Sequence, residues 1–109
     1  MEFKEAIKLA EDIIERFKKV EGKPWNAEAS VIELTKQIGH LANEIMKTEK
    51  YYPEIMRKDD SNQKEKIGDE IADILFSLIR IAKYYNIDLE EAHIKARKGE
   101  NEFLKGLGA

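Results

Sequence analysis

Apolar residues recur along most of this chain at spacings of three and four, which is the period of an α-helix. No stretch of useful length alternates between apolar and polar residues as a half-buried strand would. The pattern therefore predicts an all-α protein, a four-helix bundle in a single domain over residues 1–109. The predicted helices cover about residues 2–19, 27–50, 62–85 and 89–104.

The breaks between these helices contain residues that commonly start or end helices. Pro24 follows the first helix, and Pro53 with a polar run at 58–63 follows the second. Asn26 and Asp88 are suitable N-caps for the second and fourth helices. Their side-chain oxygens can accept hydrogen bonds from the free amides of the first turn.

The two central helices have apolar stripes long enough to pack against each other as an antiparallel hairpin. The stripe of the second helix consists of Val31, Leu34, Ile38, Leu41 and Ile45. The stripe of the third consists of Ile67, Ile71, Ile74, Leu78, Ile81 and Tyr85. Further apolar residues, among them Ile32, Leu75 and Phe76, lie outside both stripes. Because helices that are apolar on several sides are buried on several sides, we expect a homodimer or a homotetramer.

The composition excludes several classes of function. The 109 residues include no cysteine, so a disulfide scaffold, a thiol nucleophile and a cysteine-bound metal are excluded. Lys and Arg number 19 and Asp and Glu number 22, and this mixed net charge of −3 is not typical of a protein that binds nucleic-acid polymers. No apolar run approaches the roughly 20 residues that span a bilayer. We therefore expect a cytoplasmic protein without a membrane partner.

A line of polar residues runs beside the apolar stripe of each central helix. On the second helix the line is Glu33, Gln37, His40 and Glu44, and on the third it is Lys66, Glu70, Asp73, Ser77 and Arg80. If the hairpin closes through its apolar stripes, the two lines face each other and up to four carboxylates share one groove. Crowded carboxylates need a cation, and such oxygen ligands suit Mg²⁺, with Mn²⁺ as a substitute. The alternative is an ordinary solvated flank of an amphipathic helix.

Three short sequences carry a resemblance to a known family. They are Glu-Ile-Ala-Asp-Ile at 70–74, Asn-Ile-Asp-Leu at 86–89 and Gly-His-Leu at 39–41. Together they resemble the MazG family of nucleoside triphosphate pyrophosphohydrolases, over about residues 25–104. The resemblance implies a helical bundle that dimerises or tetramerises and binds Mg²⁺ through carboxylates. It also implies hydrolysis of a nucleoside triphosphate to the monophosphate and pyrophosphate.

This resemblance implies roles for residues on the two polar lines. Glu70 and Asp73 match the second acidic motif of the family and are the expected metal ligands. Glu33 and Gln37, one turn apart on the second helix, are further candidate ligands. Glu33 or His40 would act as the base that activates a water molecule. A histidine hydrogen-bonded to a carboxylate on the helix flank explains His40 equally well.

Contacts with the substrate are expected from four other residues. Trp25 can stack on a base or close the end of the bundle. Lys36, Lys98 and Asn101 are candidate phosphate-binding residues. A solvated polar face also explains these three.

The first acidic motif of the family is altered in this chain. Lys36, Gln37 and His40 stand at positions that are usually acidic in the family. Two functions therefore remain open from the sequence. One is the pyrophosphohydrolase, and the other is a catalytically decayed module that keeps nucleotide binding or oligomeric assembly.

Overall fold

The computed structural model describes residues 1–56 and 61–109. These residues form four α-helices: α1 (Phe3–Phe17), α2 (Ala27–Thr48), α3 (Gln63–Tyr84) and α4 (Leu89–Gly106). A short 3-10 helix, Glu54–Met56, lies between α2 and α3. The described ranges contain no strand.

The all-α prediction is thus confirmed, and each predicted helix end lies within two residues of the observed one. Part of the predicted polar break at 58–63 falls outside the described residues. No helix within the described ranges has the length and hydropathy needed to cross a bilayer.

Local hydrogen bonds explain where α2 and α4 begin. The Asn26 side chain accepts a hydrogen bond from the Ala29 amide at 2.9 Å. The Asp88 side chain accepts one from the Glu91 amide at 3.0 Å. Both predicted N-caps are therefore confirmed, because each side chain satisfies an amide that has no partner within its helix.

A Schellman motif ends α3 and sets the direction in which α4 leaves. Asn86 has a left-handed backbone with φ of 55°, a conformation that asparagine adopts more readily than most residues. The Asn86 amide donates to the Lys83 carbonyl at 3.1 Å, and the Ile87 amide donates to the Ala82 carbonyl at 2.8 Å. These two bonds satisfy carbonyls at the end of the helix and turn the chain away from it.

α1 and α2 both pack on α3, which contacts α2 more extensively than α1. Its partners on α1 include Phe17, whose ring meets that of Phe76 edge-on with centroids 6.4 Å apart. Within the described ranges the fully buried apolar side chains are Ile14, Ile79 and Ala82. The core of a single chain is therefore small.

The hairpin closes only partly through its apolar stripes. Val31, Ile38 and Ile71 are about half exposed, whereas Ser77 on α3 and Ser30 on α2 are buried. The Ser77 hydroxyl on α3 donates to Gln37 Oε1 on α2 at 2.6 Å, so polar residues occupy part of this contact. The two helices are rotated so that part of each polar line enters the contact and part of each apolar stripe faces outward.

α4 extends away from the other helices. Every residue after Glu90 is exposed, including the apolar Ile94, Phe103 and Leu104. The Cα radius of gyration is 17.6 Å, whereas a compact domain of this length has a radius of roughly 13 Å. A single chain therefore leaves much apolar surface uncovered.

The Ile79→Ala substitution is expected to lower the free energy of unfolding by about 2–5 kcal/mol. The reason is that Ile79 is only 5% exposed and lies between α1 and α3. Urea unfolding followed by circular dichroism at one protein concentration measures the change. Ile55→Ala removes the same atoms from a side chain that is 89% exposed, and it is expected to change stability by less than about 0.5 kcal/mol. Equal losses in both variants would contradict the assignment of Ile79 to the core.

Candidate functional site

The polar lines of α2 and α3 meet along a shared seam, which we call the polar seam. Three contacts between side chains of the two helices define it: Ser77 Oγ donates to Gln37 Oε1 at 2.6 Å, His40 Nδ1 lies 3.9 Å from Glu70 Oε2, and Gln63 Nε2 donates to Glu44 Oε2 at 3.0 Å. The numbers rise along α2 as they fall along α3, so the hairpin is antiparallel as predicted. Polar groups that the sequence placed on two separate helices are thus brought together.

The centre of the polar seam is the pair formed by His40 and Glu70. The Glu70 side chain is only 22% exposed. Its Oε2 atom is buried and has no hydrogen-bond donor among the described residues. The imidazole at 3.9 Å is too distant for a hydrogen bond. A buried carboxylate oxygen without a partner is costly, so this position favours a bound cation.

Asp73 follows Glu70 by one turn on the same side of α3, because residues three apart on a helix are neighbours. It is exposed, and no hydrogen bond or ion pair occupies it in the part of the chain that the structure describes. Glu70 and Asp73 therefore form a pair of carboxylates that can receive a ligand. Within residues 1–56 and 61–109, no three His, Asp or Glu side chains converge as a metal site by themselves.

The two other predicted carboxylates are bound by neighbours on their own helix. Glu33 accepts a hydrogen bond from Gln37 Nε2 at 3.4 Å and lies 3.9 Å from Lys36 Nζ. Glu44 lies 3.4 Å from Lys47 Nζ and also accepts the amide from α3. The groove with four free carboxylates does not form, because amide and lysine groups compensate the outer two.

The side chains of Gln37 and Lys36 are therefore engaged by other residues of the chain. The Gln37 amide uses its oxygen for Ser77 and its nitrogen for Glu33. Lys36 is exposed, and its ammonium group lies 3.9 Å from Glu33 Oε2. His40, in contrast, faces Glu70 and is placed equally well to bind a cation or to accept a proton.

Arg80 lies near one end of the polar seam, enclosed by aromatic rings. Its guanidinium carbon is 4.7 Å from the Trp25 ring centroid, 5.4 Å from that of Phe76 and 5.7 Å from that of Phe17. These distances are in the range of cation–π contacts. Its Nη2 donates to Glu21 Oε1 at 3.0 Å, and the two side chains are only 11% and 10% exposed.

Glu21 was missed by the sequence analysis. It lies after the periodic part of α1, in a turn without a motif, and its partner is 59 positions away in sequence. No local pattern indicates such a pair. The sequence analysis placed Arg80 at the end of the polar line on the third helix. It did not predict the contact between Arg80 and the Trp25 ring.

A cavity of about 220 Å³ opens beside this cluster. Its walls come from α1, α2 and α3 and from the turn after α1: Ile14, Lys18, Glu21, Trp25, Ser30, Arg80, Lys83 and Tyr84. It is smaller than the roughly 300–1,000 Å³ of sites that enclose a whole drug-sized ligand. The cavity is therefore suited to one ring system or one charged group of a ligand.

Glu15 holds Lys18 and Lys83, which line the cavity. Lys83 Nζ and Lys18 Nζ lie 2.8 Å and 2.9 Å from Glu15 Oε1. The hydrogen bonds from Lys83 and then Lys18 lower the pKa of Glu15 to about 2. Glu15 thus stays ionised at neutral pH and keeps both ammonium groups at the rim of the cavity.

The cavity and the carboxylate pair lie on the same side of α3. Arg80 follows Asp73 by seven residues, which is close to two full turns and about 10 Å along the helix axis. One extended ligand can therefore contact both places.

The remaining predicted substrate residues are not at this site within one chain. Lys98 and Asn101 are exposed on α4, which leaves the hairpin after the turn at Asn86. The prediction that they approach phosphates is therefore not met by a single chain, because α4 does not pack along the polar seam.

Replacing Arg80 by alanine is expected to lower the free energy of unfolding by about 3–5 kcal/mol, since Glu21 would remain as a buried charge without its partner. Urea unfolding measures this loss. Arg97→Ala is the matched control, because its ion pair with Glu100 is more than half exposed on both sides. The control is expected to cost less than about 1 kcal/mol. Similar losses in both variants would show that the Arg80 pair contributes no more than a surface contact.

The sequence is similar to that of a bacterial protein. Over 65 residues, which are 60% of this chain, the sequence is 37% identical to a protein of Bacillus subtilis (strain 168) with the name "Uncharacterized protein YpjD". The aligned part covers 55% of that protein, so the chain spans about half its length. No protein-family model matches the chain. No solved structure matches it.

Proposed function

We propose that this protein binds a nucleoside triphosphate along the polar seam and hydrolyses it to the monophosphate and pyrophosphate, with a divalent metal ion at Glu70 and Asp73. The observation that carries the proposal is the buried Glu70 Oε2 atom, which has no donor among the described residues and lies one turn from the free Asp73 carboxylate. Magnesium is commonly held by one or two carboxylates together with the phosphates of its substrate. A pair of carboxylates fits that pattern.

The charges around the pair support the same interpretation. A triphosphate is repelled by free carboxylates, and the structure leaves few of them in the groove. Glu33 and Glu44 are compensated by Lys36 and Lys47 on the same helix. A bound Mg²⁺ would offset the charge of the triphosphate and polarise the phosphorus that is attacked.

The chain itself must orient the attacking water and accept its proton. His40 is the candidate for this role, because its imidazole lies in the polar seam 3.9 Å from Glu70 Oε2. In the reaction, the water oxygen bonds to the α-phosphorus in line with the leaving group, the bond from that phosphorus to the bridging oxygen breaks, and pyrophosphate departs. Glu33, a base candidate from the sequence, lies seven residues before His40, about 10 Å along α2. It is the less suitable acceptor.

The cavity beside Trp25 and Arg80 supplies a place for the nucleoside. It lies about 10 Å along α3 from Asp73 on the same side of the helix. The Trp25 ring is partly exposed and offers a stacking surface. Lys18 and Lys83 at the rim contribute positive charge.

The proposal includes a homodimer or homotetramer as the working form. Val31, Ile38 and Ile45 on α2 form an exposed apolar row along one side of the hairpin. A second exposed row on α3 consists of Ile71, Leu75 and Leu78. Apolar surface of this extent is unusual on a monomer. A second copy of the chain would cover it and would bring its own α4, with Lys98 and Asn101, close to the hairpin.

The alternative is a catalytically decayed module that binds nucleotide or only assembles. The observation that favours it is the set of Lys36, Gln37 and His40 at positions where the MazG family has acids. The proposal includes a cytoplasmic location, because a protein that hydrolyses or binds nucleoside triphosphates depends on the intracellular pool of nucleotides.

Pyrophosphate release from a panel of ribo- and deoxyribonucleoside triphosphates with Mg²⁺ tests the hydrolase. The Asp73→Asn variant is expected to lower kcat/KM by at least about 100-fold, because it removes charge that stabilises the metal-bound transition state. Asp12→Asn on α1 removes one carboxylate from an exposed ion pair and is expected to leave the rate unchanged. Folding of each variant is checked by circular dichroism.

If the wild-type protein binds nucleotides but releases no pyrophosphate with any of them, hydrolysis is ruled out and the decayed module is supported. Equal losses in Asp73→Asn and Asp12→Asn would remove Asp73 from the site.

Light scattering coupled to size exclusion tests the oligomer. The chain has a mass of 12.6 kDa, and the wild-type protein is expected to elute at two or four times that mass. Ile38→Lys places a charge in the apolar row and is expected to give a monomer, because an unpaired charge is costly to bury. Ile55→Lys, at a position exposed outside both rows, is expected to keep the wild-type mass. A monomeric wild-type protein would contradict the oligomer.

A further inference from the structure

Glu21 lines the cavity beside Trp25, and one oxygen atom of its carboxylate is unused. We propose that Glu21 selects the base of the nucleotide, and that the protein prefers guanine to bases that lack its two adjacent N–H groups. These groups would donate hydrogen bonds to the Glu21 carboxylate. The inference rests on the proposed function for the class of ligand, but it concerns binding of the base and not hydrolysis.

The two carboxylate oxygens of Glu21 have different surroundings. Oε1 accepts a hydrogen bond from Arg80 Nη2 at 3.0 Å, and the Glu21 and Arg80 side chains are only 10% and 11% exposed. Oε2 is buried and has no hydrogen-bond donor among the described residues. A buried acceptor without a donor is costly. A ligand that brings an N–H group into the cavity would satisfy Oε2 while Arg80 stays bound to Oε1.

The charges around the cavity favour a neutral donor over a cation. Among the described residues that line it, Glu21 contributes a carboxylate, whereas Lys18, Arg80 and Lys83 are cationic. A metal ion or an ammonium group would therefore meet more positive than negative charge. The N–H groups of a nucleobase are uncharged, and a phosphate attached to the same ligand is attracted by the lysines.

Guanine is the common base whose edge matches a carboxylate best. An ionised carboxylate only accepts hydrogen bonds, and guanine presents N1–H beside its N2 amino group. In adenine and cytosine the amino group lies next to a ring nitrogen that is itself an acceptor. In uracil and thymine the N3–H group lies between two carbonyl oxygens. Each of these four bases would place an acceptor against the carboxylate of Glu21.

The Trp25 ring supplies the second contact that a base needs. It is 37% exposed and lines the same cavity as Glu21. Proteins that hold a single base commonly stack it on an aromatic ring and bind its Watson–Crick edge by hydrogen bonds. The volume of about 220 Å³ limits the occupant to about one ring system.

The test uses guanosine 5′-monophosphate (GMP) and inosine 5′-monophosphate (IMP), which differ only in the N2 amino group. Neither requires catalysis or a metal ion. Trp25 is the only tryptophan of the chain, so its indole N–H resonance reports binding in the cavity without further assignment. Wild-type protein is expected to bind GMP at least about 10-fold more tightly than IMP, because IMP leaves the carboxylate short of one donor.

Glu21→Gln tests whether the carboxylate causes the preference. The amide oxygen of glutamine can still accept a hydrogen bond from Arg80, but the amide group has no second oxygen to accept from guanine. The ratio of GMP to IMP affinity is expected to fall below about threefold. Glu100→Gln removes a carboxylate from an exposed ion pair on α4 and is expected to keep the wild-type ratio. Circular dichroism checks the folding of both variants.

Equal affinity of the wild-type protein for GMP and IMP would overturn the inference, as would an indole resonance that neither nucleotide shifts. Both results come from the wild-type protein and do not depend on whether Glu21→Gln folds. A preference for GMP without pyrophosphate release from any triphosphate would support the base assignment and reject the hydrolase. Pyrophosphate release together with equal binding of GMP and IMP would do the reverse.

Discussion

The hydrogen bond between Ser77 and Gln37 fixes how the two central helices meet, and much of the structure follows from it. Ser77 is 1% exposed, and a hydroxyl buried to this degree must find an acceptor. It finds one at 2.6 Å on the facing helix. Because this bond requires the polar line of α2 to face α3, the rotation of both helices about their axes is set by a polar contact.

This rotation has a consequence for the surface of the chain. With polar side chains in the seam, Val31, Ile38 and Ile45 cannot all turn toward α3, and they remain partly exposed. The buried apolar residues of the described chain are then too few for a protein that must offset the conformational entropy of more than one hundred residues. Assembly with further copies, as proposed above, would bury the apolar rows. The polar seam and the exposed apolar rows thus have a common physical origin.

The carboxylates of the polar seam differ in the groups that surround them. Those near the ends of the line, Glu33 and Glu44, have a lysine one turn away on the same helix and an amide within hydrogen-bond distance. Glu70 at the centre faces only His40. The carboxylate without a compensating group is therefore confined to one place along the seam. Arg80 at the end of the seam, held by Glu21 and three aromatic rings, joins the turn after α1 to α3 and closes the cavity on that side.

The amino-acid sequence alone determined the four helices, their caps and the pairing of α2 with α3, because these depend on contacts between residues three or four apart and on side chains that bond to adjacent backbone. It also placed His40 and Glu70 on polar lines that face each other across the hairpin. It did not determine the rotation of the helices about their axes. That rotation depends on the hydrogen bond from Ser77 to Gln37, and these two residues are 40 positions apart in sequence. The Arg80–Glu21 pair and the outward path of α4 likewise required the tertiary structure. Arg80 and Glu21 are far apart in sequence. The path of α4 depends on the left-handed backbone of Asn86, because that residue sets the direction in which α4 leaves α3.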